Sequence, residues 1–200
     1  MALQRIQHRK ERRNKILMGA VLSFLMVASG FGVYLSGRGA QGNTVADHGV
    51  AFSFDYQTQT YTAKLGDELQ QFYYLPSSVA AIHMPDDAAS LLRSSSAVII
   101  TFDPSLSARN LQLMDLIRFD LSSSLGRPVI SAVTNESAMY ALPVVACDNA
   151  TAQVPVLSWE AGEEAAVERQ GACLRFIGNQ SGFLQLRDRL LYEYYGVYEE

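Results

Sequence analysis

The chain has 200 residues, 48% of them hydrophobic, and a formal net charge of −4. Ten of its 16 Lys/Arg and 19 of its 20 Asp/Glu follow residue 35, so residues 36–200 alone carry −9. An acidic surface of that size repels phosphate backbones and anionic headgroups, which sets aside nucleic acid and a lipid-hugging surface as partners.

The N-terminal 15 residues hold six basic residues (Arg5, Arg9, Lys10, Arg12, Arg13, Lys15) and one acid, Glu11. The 20 residues at 16–35 carry no charge. A helix of that length spans about 30 Å, the thickness of a bilayer's hydrocarbon core. Arg38 is the only Lys or Arg between residues 36 and 63, so the positive-inside rule predicts a cytoplasmic tail, an anchor at 16–35 and an exported remainder. A cleaved signal peptide is the alternative, with Val27-Ala28-Ser29 as its cleavage site. The apolar run continues through Leu35, longer than an h-region of roughly 7–15 residues, and this favours a retained anchor. Gly19, Ser23 and Gly30 fall on one face of that helix and permit close helix–helix approach.

Residues 36–49 hold four glycines and no apolar period, which predicts a flexible stalk. The domain proper is expected over 50–200. Phe52, Phe54 and Tyr56 alternate with polar residues as a half-buried strand, Thr60 to Leu65 returns, and Leu69 to Leu75 forms a third strand ended by Pro76. Asp86 and Asp87 cap a short helix through Leu92. Ala97 to Phe102 is a continuous β-branched run, the pattern of a buried central strand. A helix from Ser107 to Leu125, stopped by Gly126 and Pro128, leads to a strand at Val129 to Val133, a βαβ unit with parallel strands.

Beyond it, strands are predicted at Leu142 to Cys147 and Val154 to Trp159, a hairpin pairs Ala166 to Arg169 with Ala172 to Ile177, and a last helix runs from Gly182 to Tyr195. That helix carries Arg189 and Glu193 at i,i+4 spacing. Its tyrosines, with Tyr198, form either an aromatic docking patch or the closure of the domain's own core, the commoner use of such a helix. The fold class read from these elements is one mixed α/β domain with a small N-terminal β-meander.

Cys147 and Cys173 both follow the anchor and are too far apart for a CxxC pair, so one structural disulfide is expected in an oxidising compartment. Three glycosylation sequons begin at Asn135, Asn149 and Asn179. Asp103 follows a buried strand that is expected to be parallel, the place where open α/β sheets hold ligands. It reads either as a base or metal ligand, or as part of an Asp-Pro-Ser opening to the next helix, with Asp103 or Ser105 as cap. Asp148 takes the same geometry after strand 142–147. His83, Asp86 and Asp87 lie within five residues, and Asp47 adjoins His48, but no HxH or HxxxH spacing exists, so solvated loops and a cap are expected there rather than a metal. No GxSxG, GxGxxG or P-loop is present, and no cofactor is expected.

The phrases FYYLP (72–76), ITFDP (100–104), LPVVACDNAT (142–151) and DRLLYEYYGV (188–197) resemble those of uncharacterised archaeal single-pass membrane proteins with an exported α/β domain. The resemblance implies topology and no chemistry. The function expected from all this is that of a membrane-anchored, non-catalytic interaction module or accessory subunit of an envelope complex with a protein partner. Two alternatives stay open: a hydrolase whose Asp103 and Asp148 converge from adjacent parallel strands, and a thioredoxin-like domain without redox chemistry.

Overall fold

A computed structural model describes residues 44–198, together with Met18, Ser23 and Met26, which are helical. Among the described residues no helix is long and apolar enough to cross a membrane, and the rest of the anchor expected at 16–35 lies outside them.

The chain enters through a four-stranded antiparallel meander: β1 (Thr44–Asp47), β2 (Val50–Asp55), β3 (Thr60–Leu65) and β4 (Glu68–Phe72), in that spatial order. The stalk predicted over 36–49 is therefore corrected at its end. Thr44 pairs with Ser53 and Asp47 with Val50 across a turn in which His48 and Gly49 both have positive φ. The four residues of β1 gain ladder bonds from a neighbouring strand edge that their composition does not advertise.

Two short helices follow, α1 (Pro76–Val79) and α2 (Ala88–Ser94). The third strand stops at Phe72, short of the expected Leu75, because the N–H groups of Tyr73 and Tyr74 turn to Asp188, and Pro76 opens α1, where its missing N–H has no ladder to break. The second sheet then forms from β5 (Val98–Phe102), β6 (Val129–Val133), β7 (Val156–Ala161), β8 (Ala166–Gln170) and β9 (Cys173–Gly178), in the order β6-β5-β7-β9-β8. The strands β6, β5, β7 and β9 are parallel, and β8 closes the edge antiparallel to β9. Helix α3 (Ala108–Ser124) joins β5 to β6, and α4 (Gln180–Tyr194) follows β9. A mixed α/β fold with two sheets and one strand–helix–strand unit is thus the observed class.

Register separates the faces of this sheet. Ile100, Leu157 and Leu174 lie abreast, as do Phe102 and Trp159, all turned to the helices. Trp159 stacks on Phe176 at 4.6 Å and meets Phe183 of α4 edge-on. The meander packs its inner aromatics on the same helix: Phe72 stacks on Tyr192 at 4.4 Å, with Phe52 edge-on to both. Burying such rings supplies most of the drive to fold, about 25 cal/mol per Å² of apolar surface.

Polar groups fix how α4 sits. Asp188, wholly buried, accepts from the backbone N–H groups of Tyr73 and Tyr74 (2.7 and 2.8 Å) and from Arg187 (2.6 Å). The hydroxyls of Tyr192, Tyr194, Tyr195 and Tyr198 donate to the carbonyls of Tyr74, Leu125, Ser124 and Pro76. The aromatic C-terminus therefore closes the domain's own core, and Arg189 bonds Glu193 as the spacing predicts.

Among the described residues no α-helix covers the opposite sheet face. Residues 134–155 cross it as a strap, which answers a sequence expectation with a correction. The predicted strand Leu142–Cys147 is absent except for one parallel bridge, Val144 to Val133. Pro143 carries no N–H for a ladder. Thr101 Oγ1 then donates to the Val145 carbonyl at 2.8 Å and draws the chain off the edge onto the face. A 3₁₀ turn at Cys147–Asn149 ends the crossing, and the Cys147–Cys173 disulfide, Cα atoms 5.2 Å apart, fastens it to the start of β9.

Candidate functional site

The connection from β5 runs outward to β6, while that from β7 runs the other way to β8. Adjacent parallel strands whose connections diverge leave a crevice at their carboxyl ends, and ligands of open α/β sheets collect there. A cleft of about 610 Å³ occupies this end of the molecule. Its floor is Ala161 at the end of β7, Gly162 after it and Gly178 at the end of β9. One wall is the first turn of α3 (Arg109, Asn110, Leu113), the other the first turns of α4 (Asn179 to Ser181, Leu184), and Tyr74 closes a side.

Local chemistry places each wall. Ser107 caps α3, accepting from the Asn110 N–H at 3.3 Å. The expected cap, Asp103 or Ser105, is displaced because the Asp103 carboxylate folds back to accept from both the N–H and Oγ of Ser105 (2.8 and 2.7 Å). Asn179 caps α4 through Oδ1, which accepts from the Gly182 N–H and the Ser181 hydroxyl, while Nδ2 donates to the Glu163 carbonyl at 2.9 Å. Two glycines allow close approaches here: a Cβ on Gly178 would meet Leu186 Cδ1 of α4 at 3.2 Å, and one on Gly162 would meet Ile177 Cγ2 of β9 at 2.3 Å.

The groups turned to the cleft mostly donate hydrogen bonds. The first N–H groups of each helix have no intrahelical acceptor, and the helix dipoles add partial positive charge at both amino ends. Arg109 is exposed and makes no hydrogen bond or ion pair among the described residues. The side-chain oxygen of Asn110, buried without a partner among the described residues, is an acceptor and stands apart from this pattern. The open N–H groups and Arg109 can hold acceptor-rich or negatively charged groups of a partner.

The two carboxylates proposed from sequence are not brought together. Asp103 follows β5 at the carboxyl end of the sheet, half-buried and committed to Ser105. Asp148 sits in the 3₁₀ turn held by the disulfide to Cys173, which is the first residue of β9 and lies abreast of Val156 at the amino end. The paired-carboxylate site fails on that separation, because 142–147 is a strap and not a strand beside β5. No group of three or more His, Cys, Asp or Glu that could hold a metal occurs among the described residues. His83, Asp86 and Asp87 are exposed, and Asp87 pairs with Arg169 instead. His48 bonds Asp47, whose other oxygen accepts from Ser77, so that pair ties the first hairpin to α1.

Of the three sequons, Asn135 is exposed in the strap, Asn149 is exposed but accepts from the Ala146 N–H, and Asn179 is the α4 cap at the cleft. Sequence reading missed the cleft. Its only signals were Arg109, beside a helix cap, and Gly178-Asn179 before the last helix, and neither type is distinctive alone.

No family model matches the chain, and no curated protein or solved structure is significantly similar to it.

Proposed function

We propose that this chain is a non-catalytic binding module, held at the outer face of a membrane by its N-terminal segment and engaging a protein partner through the carboxyl-end cleft. The observation that carries the reading is the cleft's lining: hydrogen-bond donors, apolar walls and the uncommitted Arg109. Such a surface recognises acceptor oxygens and acidic side chains. The disulfide, the basic tail and the apolar run at 16–35 support export.

The test is purification of the tagged full-length protein from its native membrane in mild detergent, beside Arg109→Glu and Leu184→Asp variants. A stoichiometric partner retained by the wild type and lost from both variants supports the reading. A partner equally retained by all three, or a hydrolytic activity that disappears on Asp103→Asn, overturns it.

A further inference from the structure

We propose that the outer edge of β6 is a second docking site, which accepts an extended peptide segment of a partner by strand addition. The hydrogen-bond directions decide which backbone groups are open. The Thr134 N–H donates to Phe102 and the Val98 N–H to Pro128, so even-numbered positions of β6 face β5. Val133 faces outward, and there the strap bonds it on both sides: its N–H donates to Pro143 and its carbonyl accepts from Val145. By the two-residue period of a strand, Val129 and Ser131 face outward as well, and nothing in the described structure pairs with them.

The edge thus already carries one added segment, and the open positions continue that interface toward the amino end of β6. Beside them runs a groove of about 300 Å³, floored by Val129 and Ser131, walled by Asp115, Arg118, Phe119 and Ser122 of α3 and closed by Leu142. Phe119 is 71% exposed and Ile130, on the other side of the strand, 44%. Strand addition uses main-chain bonds for affinity and alternate side chains for selection. An added strand would place every second side chain in the groove against Phe119, so the occupant is an extended segment with apolar residues at alternate positions. A short edge strand preceded by Pro128 is guarded against indefinite self-pairing, which suits a site for one short segment.

This site is separate from the cleft, so the Arg109 and Leu184 variants that test the cleft leave it intact. The experiment exposes the purified full-length protein in mild detergent to an array of octapeptides with Val, Leu or Phe at alternate positions, beside shuffled controls. Alternating peptides are expected to bind. N-methylation of every second amide should abolish binding in one register and spare it in the other. Phe119→Asp, at an exposed ring, should weaken binding at least tenfold, about 1.4 kcal/mol. Ser131→Pro removes the outward N–H without breaking a bond to β5 and should do the same where Ser131→Ala does not, with the fluorescence of buried Trp159 checking that the variants are folded. Failure of every peptide, binding indifferent to N-methylation, or a dimer that forms through this edge and is not displaced by peptide would each overturn the proposal.

Discussion

Replacing Asp188 with alanine tests how the meander is held to the last helix. The carboxylate is fully buried, takes two backbone N–H groups from the segment leaving β4, and pairs with Arg187, whose side chain is 3% exposed. Arg187 also donates to the Gln71 carbonyl at 2.6 Å and lies 3.2 Å from Asp120. Alanine at 188 leaves two buried N–H groups without acceptors and a buried guanidinium with only Asp120 to balance it. Breaking a buried pair from one side costs about 3–5 kcal/mol, and each orphaned N–H about 1–3, although these terms overlap and do not sum. A loss of about 4 kcal/mol is therefore expected, a large share of the 5–15 kcal/mol typical of a domain. Equilibrium denaturation followed by Trp159, the only tryptophan, measures it. A loss under about 1 kcal/mol would show that the clasp is not what joins the two sheets.

Four further outcomes are expected. Removing the disulfide as Cys147→Ala/Cys173→Ala frees a loop whose ends are 26 residues apart, lowering stability by about 3.5 kcal/mol in the chain-entropy model; limited proteolysis should then cut within 134–155 before any other part of the domain. Gly162→Ala should cost about 1–3 kcal/mol by overpacking Ile177, and a second substitution, Ile177→Ala, should recover part of that loss in denaturant melts. Asn179→Ala removes the α4 cap and should cost about 1 kcal/mol, with Asn179→Asp recovering most of it. Hydrogen bonds from Arg175, opposed by partial burial, hold the Glu160 carboxyl below its usual range. The folded state therefore binds this proton less readily than the unfolded chain, so the contribution is full above the unfolded value and fades as pH falls through the lowered folded one. Glu160→Gln should flatten the acid limb of a stability–pH curve, and an unchanged limb would refute that assignment.

The elements that sequence revealed were those whose pattern and partner are local. Ala97 to Phe102 is apolar on both faces because β5 is central, and α3 shows its stripe because one side meets the sheet. Gly126 stops α3 because its φ of +59° suits glycine. The misreading at 142–147 has the opposite cause. Leu142, Val144 and Val145 have strand composition, yet a threonine on β5 and a cysteine on β9 decide their path. The cleft was hidden for the same reason: Arg109 and Gly178 are 69 positions apart by numbering and meet only through the sheet order. The cap at Ser107 lies two residues beyond Ser105 and four beyond Asp103, because Asp103 Oδ1 is taken by the N–H and hydroxyl of Ser105.

The contact between meander and last helix also sets an order of events during synthesis. Tyr192 reaches back to Tyr74, 118 residues earlier, and covers Phe52 and Phe72. A chain that emerges N-terminus first carries those two rings uncovered until Tyr192 has appeared. Contacts so distant in sequence slow folding, and uncovered apolar strands invite association while they wait. Completion of this domain thus waits for α4, and a chain cut short before Tyr192 keeps the meander's inner face bare. Quality-control proteases that recognise exposed aromatic strands would meet such truncated chains as substrates, even with the second sheet and its disulfide already in place.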